Sequence, residues 1–365
     1  MNAPFGGAWK GRRVLVTGHT GFKGSWLSFW LARLGAEVSG FALPPEGERH
    51  LYGALGLDAE VRSRLGDLRE LAAVEAAFAE AKPEFVFHLA AQPLVLRSYA
   101  APLDTFAVNV LGTANVLEAA RRRGGVQGLV VVTTDKVYED PAAQRPRAES
   151  DPLGGHDPYS SSKAAAELVS ASYRLSFDLP LATARAGNVL GGGDWAADRI
   201  LPDCARAFAA GRPAVVRNPG SVRPWQHVLE PLSGYLALGA RLLQAPDGVP
   251  GAWNFGPSED GVTVADVAGF AAEAWGDGAA WRAEEAAAPH EAAALRLDSA
   301  KAKIRLGWRP VWDARRAVSA TVEWYKAAGR PGFDARATTE AQTEGYAEDA
   351  REAGAAWAVH VPAAR

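Results

Sequence analysis

The sequence predicts an α/β fold: a doubly wound parallel sheet with a smaller substrate-binding lobe in the C-terminal half. Three observations carry that expectation. Short apolar runs alternate with longer segments of helical period, the order that buries parallel strands between layers of helices. The first apolar run leads directly into a turn with three glycines spaced by three, "VTGHTGFKG". The chain has 365 residues, 48% of them apolar, enough for a sizeable core and a second lobe.

In chain order, residues 13–17 read as a buried strand, and residues 25–34 as a helix with apolar positions at Trp26, Leu27, Phe29, Trp30, Leu31 and Leu34. A second strand is expected at 37–43, a helix at 71–82 and a third strand at 85–91 ("FVFHLAA"). A helix at 105–123 follows, then a fourth strand at 128–134 ("GLVVVTT") and a helix from Tyr159 to about Tyr173. Arg121 to Arg123 close a helix C-terminus, where cations are favoured. Alanine-rich stretches such as 284–294 carry no further signal beyond helix propensity.

At a strand-to-helix turn, glycines at 18, 21 and 24 let the backbone approach a pyrophosphate, which the positive helix N-terminus then holds. This is the Rossmann logic, in the spacing G-x-x-G-x-x-G. The expected cofactor contacts are Gly18, Thr20, Gly21, Phe22, Lys23 and Gly24 from the turn, with Leu89, Ala90 and Ala91 after the third predicted strand. The second strand ends in "FALPP", without the acidic residue that grips an adenosine ribose and without an arginine for a 2′-phosphate, so NAD is the expected cofactor. Asp67 and Leu68 come from the neighbouring loop. Asp67 has two open readings, a hydrogen bond to the adenine amino group or a cap for the helix that follows.

Tyr159 and Lys163 are four residues apart and so share one helix face. An ammonium beside a phenol stabilises the phenolate, which makes Tyr159 a candidate general base towards an alcohol that loses hydride. Thr134, Asp135 and Lys136 follow an apolar strand, at the edge where open α/β sheets place ligands. Thr134 can bond the same alcohol, while Asp135 and Lys136 add an acid and a base that simple oxidation does not require; extra acid–base groups suggest elimination. The net charge of −3 with interspersed signs offers no stripe for nucleic acid. One cysteine, Cys204, excludes an internal disulfide and a cysteine-based zinc site, and it reads as a small core residue. No metal and no membrane span are expected, and the cytoplasm is the default location.

These residues bring the chain close to a known family. "TGHTGFKGSWLSFWL", "TTDKVYE", "DPYSSSKAAAELV", "ARAGNVLGGGDWAADRILPD", "RPWQHVLEPLSGYL" and "LRLDSAKAKIRLGWRP" resemble the extended short-chain dehydrogenases/reductases and, within them, the CDP-glucose 4,6-dehydratases. The resemblance implies a mainly NAD-binding part at 1–185, a nucleotide-sugar lobe at 186–330 interleaved with the sheet, and a tail at 331–365 that it does not cover. It implies Gln92, Asn188, Arg199, Arg217, Arg223 and Arg296 as substrate contacts, the arginines suiting the CDP pyrophosphate. His227 is expected to be structural.

The implied reaction converts CDP-glucose to CDP-4-keto-6-deoxyglucose for deoxysugar biosynthesis. Tyr159 takes the C4 hydroxyl proton as hydride leaves C4, the ketone acidifies C5–H, Asp135 protonates the departing C6 hydroxyl, and hydride returns to C6. Related dehydratases commonly carry glutamate at the position of Lys136, so Lys136 is either the C5 base or an ammonium that stabilises the enolate. A nucleotide-sugar 4-epimerase, or a non-catalytic NAD sensor, remains the alternative. A homodimer, or a tetramer built from it, is implied through the helices at 105–123 and 159–176.

Overall fold

A computed structural model describes residues 3–139, 145–259, 261–284 and 294–359. Its centre is a seven-stranded parallel sheet. Six strands are β1 (Arg13–Thr17), β2 (Glu37–Ala42), β3 (Arg62–Leu65), β4 (Phe85–His88), β5 (Gly128–Val132) and β6 (Leu181–Ala186). Gly251–Phe255 completes the sheet, in the spatial order Gly251–Phe255, β6, β5, β4, β1, β2, β3. Strand order reverses between β1 and β4, so the loops leaving their C-terminal ends diverge there and open a crevice.

The expected α/β architecture is therefore present, with informative differences at element ends. β2, β4 and β5 stop one to three residues before their apolar runs do, because the chain peels away from its neighbours to form the loops of the crevice. The first helix, Phe22–Arg33, begins three residues earlier than residue 25. Its extra turn contains Gly24, which propensity disfavours in a helix; a Cβ there would run into the carbonyl of Gly18. β3 has the sequence "RSRL" and lies on the sheet edge largely exposed, so it lacks the apolar run that reveals a buried strand.

The helix expected at 105–123 is broken into Pro102–Phe106, a π-turn at Ala107–Leu111, and Gly112–Arg123. Such wide turns collect at functional sites, and this one docks Asn109 against the next helix, Pro158–Phe177, through Ser162 at 2.9 Å. At the far end of Gly112–Arg123, Arg121 and Arg122 pair with Glu118.

After β6 the chain builds a lobe of helices Ile200–Ala209, Val264–Trp275 and Ala314–Ala328 with two small parallel ladders. It also returns through the helix Leu229–Gln244 to lay Gly251–Phe255 against β6. Beyond residue 331, the helix Ala335–Glu352 folds back onto the N-terminal half. Glu340 pairs with Arg33 at 3.1 Å, and Trp357 stacks on Phe5 with ring centroids 4.9 Å apart. Cys204 is buried in the main apolar core.

Candidate active site

The glycine turn divides its labour. Gly18, at φ +77°, passes so near the next crossover that a Cβ would lie 2.7 Å from the Ala90 amide nitrogen. Gly24 lies beneath the Gly18 carbonyl. Gly21 alone faces open space, its imagined Cβ meeting only the Gly18 oxygen at 3.4 Å. Gly21 is also the N-cap of Phe22–Arg33 and supplies no side-chain cap, so the amides of the first turn are open towards the crevice. An uncapped, glycine-lined helix start at the switch point fits the pyrophosphate of a dinucleotide.

The other predicted cofactor residues are distributed around this turn. Thr20 pins it by donating to the Leu43 carbonyl at 2.9 Å. The Leu89 and Ala90 amides bond Thr17, which carries the 89–91 segment past Gly18. Phe22 turns its ring towards Gly191 in the lobe. Lys23 points at Tyr235, 3.5 Å from the hydroxyl; burial, then the Lys163 and Arg199 cations, pull its ammonium down to about 7. Leu68 packs its side chain into the cluster under the sheet and gives its carbonyl to Asn115.

Asp67 has two readings; the structure bears on the helix cap alone, and does not show it. Its carboxylate is gripped by Arg69, whose hydrogen bonds hold it below the usual carboxylate range. The cap position of the following helix belongs to Glu70.

Tyr159 and Lys163 are buried on one face of Pro158–Phe177, a helix capped by the Asp157 side chain and started by Pro158. Lys163 Nζ donates to the Val132 carbonyl at 3.1 Å, and burial lowers its ammonium to about 8. Burial pushes the Tyr159 phenol up to about 12 and outweighs the groups that pull it down, a hydrogen bond with Thr134 and the charge of Arg199. Of the groups around Tyr159, the Thr134 hydrogen bond and the Arg199 charge draw its pKa down, and burial prevails.

β5 delivers Thr134, Asp135 and Lys136 on a short turn, Asp135–Val137. Thr134 Oγ1 donates to Asp135 Oδ1 at 2.9 Å, while Asp135 Oδ2 is buried without a partner. Burial raises the Asp135 carboxyl above its ordinary range, against the opposing pull of Lys136 and the Thr134 hydrogen bond. A carboxyl whose proton is held more tightly than usual, with one oxygen unspent, suits a proton donor.

The predicted substrate residues divide. Arg199 stands at the start of Ile200–Ala209 with its Nε buried and unbonded, and Arg223 is buried and bears on Asp135. Asn188 follows β6, its carbonyl accepting from Gln226. Arg217 pairs with Asp198 at 3.0 Å, and the Arg296 carbonyl bonds Arg147. Gln92, by contrast, has its amide engaged by Leu94 and Thr105 and its backbone by Asn109, a structural joint between loop and π-turn. His227 is enclosed by Trp26 and Trp312, and burial lowers it to about 3, so it stays neutral as a packing residue.

The site contains a buried pair that was not singled out from the sequence, Glu167 with Arg185. Glu167 lies four residues after Lys163 on the same helix face, and that spacing was the available signal.

Comparison with known proteins agrees with this fold. A match to the NAD dependent epimerase/dehydratase family spans residues 14–256. A CDP-glucose 4,6-dehydratase of Salmonella typhimurium is 45% identical over 87% of this chain and 92% of its own. A dTDP-glucose 4,6-dehydratase of Streptomyces antibioticus is 31% identical over 86% of this chain and 92% of its own. Among solved structures, the Thermus thermophilus UDP-glucose 4-epimerase complex with NAD superposes with a TM-score of 0.75 at 30% identity. That alignment covers 86% of this chain and 99% of the epimerase.

Proposed function

The chain belongs to the NAD dependent epimerase/dehydratase family, and from that premise we propose that it dehydrates CDP-glucose to CDP-4-keto-6-deoxyglucose with NAD as cofactor. The observation that carries the choice of reaction is Asp135, a buried carboxyl that bears electrostatically on Tyr159, has one oxygen without a partner and is raised by burial above its ordinary range. An epimerase needs a base and a rotating ketone; it needs no such acid. The relative at 45% identity supports CDP-glucose as substrate.

NAD, held by the glycine turn, the 89–91 segment, Tyr159 and Lys163, supplies the hydride acceptor for C4 and afterwards the hydride donor for C6. The residues of the chain manage the protons. Tyr159 would accept the C4 hydroxyl proton as a phenolate, its burial offset by Arg199 and by the positive charge of the nicotinamide ring when NAD is bound. The new C4 ketone acidifies C5–H, which Lys136 removes or whose enolate it stabilises. Asp135 gives its proton to the C6 hydroxyl, so the C6–O bond breaks to water and a C5–C6 double bond forms. C5 is reprotonated after hydride reaches C6, and the net change is loss of one water. Arg199, Arg217, Arg223, Arg296 and Asn188, contributed by the chain after β6, are proposed to bind the CDP-sugar.

A homodimer is proposed through the exposed apolar side chains Tyr99, Leu103, Leu111, Leu168, Leu175 and Phe177 on the helices beside and including Pro158–Phe177. Among the described residues no helix is long and apolar enough to cross a membrane; we place the protein in the cytoplasm, where a single cysteine needs no oxidising compartment.

Incubation with CDP-glucose and NAD followed by mass spectrometry tests the reading. Loss of water supports dehydration; unchanged mass with altered sugar stereochemistry marks an epimerase; no change rejects both. kcat/KM is expected to be far higher for CDP-glucose than for the UDP, GDP or dTDP sugars, and equal or better use of dTDP-glucose rejects the substrate.

A further inference from the structure

Asp135 is poorly anchored by its own contacts. Among the described residues its carboxyl is bonded by the adjacent Thr134 hydroxyl and its own backbone amide, both of which move with it, and Oδ2 is unbonded. Its aim must be fixed from outside the turn.

Both flanks of the turn end on one buried ion pair. On the upstream side, Thr133 Oγ1 donates to Glu167 Oε1 at 2.5 Å. On the downstream side, Arg185 Nη1 donates to the Tyr138 hydroxyl at 3.0 Å, with the guanidinium 5.0 Å from the centre of the ring. Glu167 and Arg185 face each other in a fork, Nε to Oε1 at 2.9 Å and Nη2 to Oε2 at 3.0 Å. Thr183 of β6 donates to Glu167 Oε2 at 2.6 Å. Tyr138 passes its own proton to Asn254 of the outermost strand at 2.7 Å. Glu167 also rides on the helix of Tyr159 and Lys163, one turn beyond the lysine, so the pair ties that helix to the turn.

We propose that the Glu167–Arg185 pair is a positioning device which holds Thr134, Asp135 and Lys136 in register with Tyr159, and that the elimination step depends on it more than the preceding oxidation does. The reason for the asymmetry is anchorage. Tyr159 is set by its own helix and by Lys163 on the Val132 carbonyl, whereas Asp135 has only its flanks. A buried ion pair adds little net stability compared with apolar side chains of similar volume, so a structural role alone does not account for it. Small misplacements of a reacting group, in contrast, are expensive in rate. The proposal rests on the dehydratase reading above.

Thr133 offers the gentlest test, because its variants leave both charges in place. Thr133→Val removes the upstream anchor; Thr133→Ser keeps the hydroxyl. Stopped-flow absorbance of the reduced cofactor reports oxidation, and water loss with deuterium uptake at C5 reports elimination. In Thr133→Val, elimination is expected to slow about 10- to 100-fold while oxidation stays within about twofold, so reduced cofactor accumulates. Thr133→Ser is expected to restore elimination, with substrate KM unchanged in both. The paired change Glu167→Leu with Arg185→Met removes both charges but strands the Thr133 and Thr183 hydroxyls, so it is expected to melt lower than the parent while its folded fraction shows the same accumulation.

Equal loss of both steps in Thr133→Val, or no loss in either, overturns the positioning role even if the parent protein dehydrates CDP-glucose normally. A paired variant that unfolds while Thr133→Val behaves like the parent assigns the pair to stability and overturns it too. A parent protein that removes no water from CDP-glucose overturns the dehydratase reading and this proposal together.

Discussion

Two buried acids separate the reacting region of the molecule from its structural seam. Asp135, on the turn after β5, has one hydrogen-bonded oxygen and one bare one. Glu230, near the start of Leu229–Gln244, accepts from the Val311 and Trp312 amides and from the Tyr346 hydroxyl at 2.7–3.1 Å. Burial raises both carboxyls, Glu230 to about 7 despite those donors. The difference lies in satisfaction. Both Glu230 oxygens are bonded, and Tyr346 and Trp308 also meet Ser233. The crevice leaves a polar atom open, at a cost that folding alone does not require. Beside a crevice, an open polar atom is available to a bound molecule.

That contrast can be broken by mutation. The largest effect is expected for Asp135→Asn: turnover of CDP-glucose falls by about 10²- to 10⁴-fold, with reduced cofactor accumulating and the melting temperature nearly unchanged. If oxidation is lost as completely as in Tyr159→Phe, Asp135 belongs to binding or to the first step, and the division of roles fails.

Glu230→Ala is expected to do the opposite, costing about 3 kcal/mol or more of stability, because it strands several buried donors and leaves a cavity. kcat of the folded fraction stays within about twofold. Denaturant unfolding beside steady-state kinetics separates the two currencies.

The sign of the Glu230 titration gives a finer test. Its folded-state pKa lies above the ordinary 4.5, at about 7, so the folded protein binds the proton more tightly than the unfolded chain. Its contribution is present in full below the ordinary value and is lost as pH rises towards 7. Melting curves of the parent protein across that window should decline relative to Glu230→Gln, which cannot titrate; parallel curves reject the shift.

The smallest effect is expected from Tyr346→Phe, which removes a single donor to Glu230 and costs about 1 kcal/mol. A loss as large as that of Glu230→Ala shows that the tyrosine, and not the carboxyl, organises the seam.

The legibility of this chain follows the range of the interactions. β1, the glycine turn and the Tyr159–Lys163 face are local: their periods and spacings are set by the geometry of one strand or one helix, and these were readable directly. β3 was hidden because an exposed edge strand needs no apolar run. The π-turn was hidden because Asn109 is held by Gln92 and Ser162, remote in sequence. Residues beyond 331 gave no family pattern, yet they cover the N-terminal half through Arg33, Trp30 and Phe5.

By itself the sequence determined the alternating α/β order, a glycine turn at a strand–helix junction that suits a dinucleotide, and a set of residue types that suits acid–base chemistry. Those properties depend on side-chain period, on which residue lacks a Cβ, and on intrinsic acidity. The tertiary structure decided what the same residues do once buried together. It assigned Gly18 and Gly24 to internal contact and Gly21 to the open side. It gave Lys163 to a carbonyl and let burial outweigh the charges around Tyr159. It joined Glu167 to Arg185 under the turn of Asp135. Desolvation and long-range pairing are sums over neighbours that a linear spacing does not contain.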